Sequence, residues 1–387
     1  MTRKWLRWMP AVAVPAVIAA GVLSGSLPAS AGNALPEKTP QQVLLMIAQH
    51  QQKSLSGTLE QSSGLGLPEL PKSGAGAAAE TAWLELLTGP HTARVYLDGP
   101  ENARVQIMDR MAERNAVRHG NEVWFYNSKD NTAAHAQLPA DAADRHAAPS
   151  GTVPTPEELA DRLLAKVDAN TDVTVGPDTQ VAGRAAYNLV LTPKSDATLV
   201  GSVAIAVDGE NGLPLGVELK ARGQSEPAFG VAFTSLKLEA PDSAIFNFTP
   251  PPGATVKEIP VSDHKAAAAT PRSEVAKANA AKRPTATGTG WESVLEFPAG
   301  AVALPGQASS QTQAPDVAAA NPLKPNHAAP GGTTRSGAAA LLEQAAVAVP
   351  GGRLVSTSLV NVLILDDGRI LAGSVPLERL QTAATQR

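Results

Sequence analysis

Twice along the chain a Thr-Pro pair opens a short amphipathic helix, and each time a run of short alternating segments follows. At Thr39-Pro40 the threonine is placed to cap, the proline to take the first helical position, and Gln42 to complete a capping box. The spacing predicts a helix to about Lys53 with Val43, Leu44, Ile47 and Ala48 on one face. At Thr155-Pro156 the same signal opens "TPEELADRLLAKV", with Leu159, Leu163, Leu164 and Val167 as its apolar stripe. A chain that repeats helix then meander is constrained to a large antiparallel sheet with one wet face and one face buried under helices.

The strands support that geometry. The segments "SLSGTLEQ", "TAWLELL", "TARVYLDG", "ARVQIMD" and "NEVWFYNS" follow the first helix. After the second come "AAYNLVLTP", "GSVAIAVD", "LGVELKA" and "GVAFTSLKLEA". Apolar residues alternate with polar ones: Leu189 and Leu191, Val203 with Ile205 and Val207, Val217 and Leu219, Val231 and Phe233. His119-Gly120-Asn121 and Asp208 to Gly212 are hairpin-turn signals. In "IFNFTPPPGATV", Phe246 and Phe248 read as a last strand with its aromatics on one face. Pro250, Pro251 and Pro252, which have no N–H to donate, are expected to end the sheet there.

The fold class expected is α+β, a long antiparallel sheet wrapped around its own apolar face over residues 39–260, which the resemblance given below makes an incomplete antiparallel half-barrel. Around it lie an export segment at 1–31, an Ala/Pro-rich linker at 261–336 and a small helix-hairpin segment at 337–387. Arg3, Lys4 and Arg7, the apolar run from Met9 to Leu23, and Ala29-Ser30-Ala31 form a signal-peptide pattern with cleavage after Ala31. The expected location is therefore the periplasm, the cell envelope or the medium. The linker carries a short island, "GWESVLEF", at 290–297. Beyond it, "GAAALLEQAAVAV" reads as a helix and the following segment as a hairpin turning at Asp366-Asp367-Gly368. This tail is too small for a rich core of its own and is expected to dock on the main sheet or pair with the Trp291 island.

Signals for chemistry are few. A net charge of −4 without a basic stripe argues against a nucleic-acid surface. The absence of cysteine removes disulfides, thiolate metal ligands and a thiol nucleophile. Seven histidines are scattered without metal-ligand spacing. The nearest approach to a cluster, Asp141, Asp144 and His146, sits among Ala and Pro. No phosphate loop or nucleophile elbow appears, so neither an enzyme nor a cofactor is expected. Aromatic residues are more informative. Val123, Trp124, Phe125 and Tyr126 put bulk on both faces of one strand, and a one-residue slip exchanges the faces, so either Val123 with Phe125 or Trp124 with Tyr126 is the inward pair.

Four segments carry a likeness. "SLSGTLEQ", "VRHGNEVWFYNSKDNTAAHA", "AAYNLVLTPK" and "FNFTPPPGATV" resemble, in order, segments of the LolA family of periplasmic lipoprotein carriers, including half-barrel relatives of the LolB and MucB/RseB type. The resemblance implies an incomplete barrel closed by helices, in which lipid or lipoprotein acyl chains bind without covalent chemistry. It makes Val123, Phe125, Trp124, Tyr126, Leu189, Leu191, Ile205, Val217, Leu219, Val231 and Phe233 the lining, with Leu163 and Val167 from the lid. The protein partners implied are a membrane-bound exporter, a lipoprotein or, for a MucB/RseB-type regulator, an anti-sigma factor. The carriers hold their lid with an arginine directly before a proline. Here Gly99 precedes Pro100, and the nearest arginines are Arg94 and Arg104.

Overall fold

In the computed structural model both Thr-Pro signals open helices. Thr39 caps α1 (Pro40–Gln49) and Thr155 caps α2 (Pro156–Leu164), each with a complete capping box closed by Gln42 or Glu158. Residues 35–66, 89–108, 112–138, 153–259, 284–299 and 346–385 are described. The export segment, "TAWLELL", the Asp141–His146 cluster and most of the expected helix at 337–349 lie outside them. Both helices are shorter than the periodicity suggests. α1 ends before His50 instead of reaching Lys53, and α2 ends at Leu164, so Val167 belongs to the turn that follows rather than to the helix stripe.

Two meanders form one sheet. The first comprises β1 (Ser54–Ser63), β2 (His91–Asp98), β3 (Asn102–Met108), β4 (Glu113–His119), β5 (Glu122–Asn127) and β6 (Thr132–Gln137). The second comprises β7 (Thr171–Val181), β8 (Arg184–Pro193), β9 (Val200–Asp208), β10 (Pro214–Ala221) and β11 (Pro227–Lys237). They join where β1 pairs antiparallel with β11, so the sheet runs from β6 through β1 and β11 to β7. Residues of β7 and β11 approach within 8 Å although three strands separate them in that order. The sheet is therefore rolled but open, an α+β half-barrel.

Gly57 lets the two meanders meet. A β-carbon there would lie 2.5 Å from the carbonyl oxygen of Ser235 and 2.8 Å from the ring of Phe233. At the far hairpin, Gly212 has φ +80° and lies so close to the Met46 carbonyl that α1 would be displaced by any side chain.

The expected last strand is not one. Ser243–Phe246 is a 3₁₀ turn capped by Asp242, and Asn247–Pro250 has no regular structure. This segment passes behind the sheet. Phe246 is buried against β3 and β4, and Arg104 holds the turn by donating from Nη1 to the Ile245 carbonyl at 2.8 Å. Phe248 packs on Trp124 and Tyr126 at centroid distances of 5.7 and 5.9 Å. Nor do the prolines end the sheet. They carry the chain to β12 (Thr255–Glu258), which pairs parallel with β6 and becomes the outer edge. His135 fastens that edge, stacked on Trp124 at 4.2 Å with Nδ1 2.9 Å from Glu258.

A second sheet is built from the island and the tail together. β13 (Thr285–Thr287) pairs with β14 (Val294–Phe297), and β14 pairs with β18 (Ile370–Gly373), followed by β17 (Asn361–Leu365), β16 (Gly352–Ser356) and β15 (Val347–Val349). Val347–Val349 is thus a strand, correcting the end of the helix expected there. A further helix, α3 (Leu377–Thr385), buries Leu380 in a core with Val294, Leu363, Leu371 and Val375. The module sits on the half-barrel through buried Trp291, whose Nε1 donates to Thr171 Oγ1 at 2.9 Å, and through the Ser374 carbonyl, which accepts from Thr198 Oγ1 at 2.7 Å.

Phe246→Ala is expected to cost about 3–5 kcal/mol, the usual range for deleting a buried phenyl ring. Urea denaturation checks this, and an unchanged midpoint would refute a strap that holds the back of the sheet.

Candidate ligand-binding face

Opposed residues of an antiparallel ladder project to the same side, so the register settles which side chains share a face. In the second meander Val173, Leu191, Val203, Leu219 and Phe229 form one row, and Val175, Leu189, Ile205, Val217 and Val231 the next. Val231 lies opposite Gln61, and Phe233 opposite Leu59, carrying the face onto β1. It continues through Gly57, Val95, Val105, Ala116 and Phe125. Val123 and Phe125 are therefore on the apolar face. Trp124 and Tyr126 are on the reverse, under Phe248, which removes them from the predicted lining.

The two halves of this face differ. In the second meander Leu189, Leu191, Ile205 and Val217 are fully buried, and Val231 and Phe233 nearly so. The reverse side there keeps Glu218 and Thr234 exposed, so the helices cover the apolar side. α2 packs on β10 and β11, and α1 on β7 and β8. Val43, Ile47, Ala160 and Leu163 supply the buried side chains of the lid. Leu219 and Val167 are half-buried. In the first meander Val95, Val105, Ile107 and Val123 are buried, whereas Phe125 is only half-buried. Of the predicted lining, the structure thus brings Val123, Phe125 and the second-meander residues onto one face with Leu163 above it.

Arg94 and Arg104 both project from the reverse side, since they lie opposite Gln106 and Tyr96 in the β2–β3 ladder. Neither reaches the lid, and Gly99 serves as a positive-φ residue at the β2–β3 turn. The helices are joined instead by His50, which directly follows α1. Its Nδ1 donates to the Ile47 carbonyl at 2.6 Å and its Nε2 lies 3.2 Å from Glu157 Oε1 on α2. The hydrogen bond to Glu157 is the main cause that raises the imidazole to about 8; burial works against it, and Asp161 adds weak attraction. Asp161 itself is pushed up by burial and by neighbouring Glu157.

Sequence reasoning missed His50, and it also missed Arg118. The alternation of Arg114, Ala116 and Arg118 in β4 reads as a solvent face, yet the register puts these residues on the apolar side. Arg118 is only 6% exposed. Hydropathy carries no signal for this. Among the described residues no group of His, Cys, Asp or Glu is arranged to hold a metal ion, and no helix is long and apolar enough to cross a membrane.

The face and its lid define an open half-barrel closed by helices, the architecture that the LolA resemblance implies. The sequence matches no protein-family profile and no curated protein. Among solved structures, the complex of MucA and MucB from Pseudomonas aeruginosa is similar at 15% identity and a TM-score of 0.41, over 89% of this chain and 96% of that one. A LolA superfamily protein from Nitrosomonas europaea is similar at 14% identity and a TM-score of 0.21, over 55% of this chain and 99% of that one. An uncharacterized conserved protein from Thermus thermophilus gives 13%, a TM-score of 0.32, and coverages of 57% and 98%. At such values the description of the fold as LolA-like rests on the chain's own strand order and lid.

The raised His50 makes the lid contact pH-dependent. Its contribution is complete below the ordinary histidine value near 6.5 and is lost as pH rises through about 8. The melting temperature of wild type should therefore exceed that of Glu157→Gln at pH 6, with the gap closing by pH 9. A gap independent of pH would contradict the pairing.

Proposed function

We propose that the protein is an exported, non-enzymatic binder of lipid or lipoprotein acyl chains, acting as a carrier or chaperone. The observation that carries this reading is the single apolar face running from Val123 and Phe125 across the β1–β11 seam to Leu191 beneath two short helices. Its second half is closed by the lid, so an acyl chain enters either over the first meander, beside half-buried Phe125, or after the lid lifts. The helices are light covers for that purpose. α1 spans 10 residues and α2 spans 9, and a hydrogen bond between His50 and Glu157 ties them. Each methylene removed from water contributes roughly 0.8 kcal/mol, so a chain of about ten supplies several kcal/mol even after the entropy of binding and lid opening is subtracted.

A second reading has its own support. The island and the tail make a separate module with a core around Leu363 and Leu371, seated on the half-barrel by Trp291. A lipid-sensing half-barrel that hands its state to a second module suits a MucB/RseB-like regulator whose partner is an anti-sigma factor.

Mass spectrometry on an organic extract of the full chain, produced in a lipid-containing host, tests the primary reading. Stoichiometric acyl species are expected in wild type, with at least tenfold less in Phe125→Glu when circular dichroism shows that variant folded. A clean extract, with no uptake of added lipid or lipopeptide, would overturn acyl binding. Acyl loading together with binding of the exported part of an anti-sigma protein encoded beside this gene would favour the regulator.

A further inference from the structure

Among the described residues Arg118 is the one arginine in the buried class. It lies in β4 opposite Ala103 on one side and Val123 on the other, so its side chain leaves the sheet on the apolar face. Nε donates to the Gly120 carbonyl at 3.1 Å, and Nη2 is buried without a hydrogen-bond partner. A guanidinium cannot shed its charge to relieve that burial.

Arg114, on the same face of β4, also holds a buried nitrogen without a hydrogen-bond partner, Nη1, although that residue has an interaction elsewhere. Four other arginines are treated differently. Arg184 is paired with Asp208 and Glu210, Arg369 with Asp367 and Glu296, and Arg222 with Asp196. Arg104 spends its donors on the Ile245 carbonyl and Asn115. Unlike these four, Arg118 keeps a buried donor unused, and unlike Arg114 its whole side chain is in the buried class; the adjoining row of the same face is Phe125, Ala116, Val105 and Val95. That row lies about 7 Å further along the strand, two residues at the usual rise. A cation next to an apolar strip matches a molecule with an anionic end and a greasy end.

We propose that Arg118 receives the anionic headgroup, carboxylate or phosphate, of an amphiphile whose tail enters at half-buried Phe125 and, once what covers them moves aside, lies on buried Ala116 and Val105. This rests on the acyl-binding reading and specifies the ligand's chemistry. Nη2 donates to the headgroup oxygen while Nε stays on Gly120, so the ligand completes a hydrogen-bond set that the empty protein leaves open. The arginine then selects anionic over neutral amphiphiles, because a neutral headgroup leaves the buried charge uncompensated.

The test compares hexadecanoate, hexadecyl phosphate and hexadecanol as competitors for N-phenyl-1-naphthylamine, a neutral fluorescent probe, on the full chain. In wild type the two anions should displace the probe at concentrations at least tenfold below hexadecanol. Arg118→Gln should lose that preference while still taking hexadecanol, and Arg118→Lys should keep most of it. Without ligand, Arg118→Met should melt at or above the wild-type temperature; a lower one would make Arg118 a structural residue and overturn the proposal. Equal competition by all three in wild type would overturn the headgroup site and leave acyl binding standing. Failure of all three to bind would overturn both. Inorganic phosphate should raise the melting temperature less than hexadecyl phosphate does, and an equal rise would replace the headgroup with a free-anion site.

Discussion

The ladder between β1 and β11 is the interaction on which the rest depends. Each meander alone would present an apolar face with exposed edges, and this one antiparallel pairing turns two faces into one. The join is tight. Phe233 lies against Gly57, where any side chain would strike its ring and the Ser235 carbonyl, and the register slips by one residue between Thr58 and Leu59. Such a bulge bends and twists a ladder, which suits the middle of a sheet that must roll. With the seam in place, Leu59 and Gln61 of the first meander stand opposite Phe233 and Val231 of the second. The lid then has one surface to cover instead of two.

Cover is supplied differently on the two sides. The apolar side receives α1 and α2 over β7 to β11, while the reverse side of β3 to β5 receives Phe246 and Phe248 from the strap that follows β11. Because the strap ends by pairing β12 with β6, the chain ties the end of the second meander to the far edge of the first. Buried charge is mostly neutralised within this frame. Asp208, fully buried at the β9–β10 turn, is held by Arg184 and accepts from the backbone of Glu210. On the apolar side of β4, Arg118 keeps Nη2 buried without a hydrogen-bond partner, as Arg114 does Nη1.

Much of the architecture was legible from local chemistry. Thr-Pro caps are written within four residues, and strands such as "NLVLTP" alternate cleanly because one face is wet, so α1, α2 and β8 to β11 follow from short windows. What could not be read depends on partners far away in sequence. Phe246 and Phe248 have the spacing of a strand, but Pro250 to Pro252 cannot donate and Asp242 caps a 3₁₀ turn, and the aromatic contacts to Trp124 and Tyr126 favour a strap. The parity of Val123 to Tyr126 is set by the β4 register, since both alternatives are equally apolar. β4 itself hides its buried face behind Arg114 and Arg118. Val347–Val349 reads as the end of a helix because Ala and Val fit either state, and pairing with β16 decides it.

That parity also gives the most direct test of the central claim, that one face of the half-barrel holds the ligand. The chain has no cysteine, so Phe125→Cys and Tyr126→Cys each carry one environment-sensitive label, on adjacent residues and opposite faces. Titration of both labelled proteins with hexadecanoate is predicted to shift the emission of the label at position 125 and leave that at 126 nearly unchanged. Equal responses, or a response at 126 alone, would contradict the account.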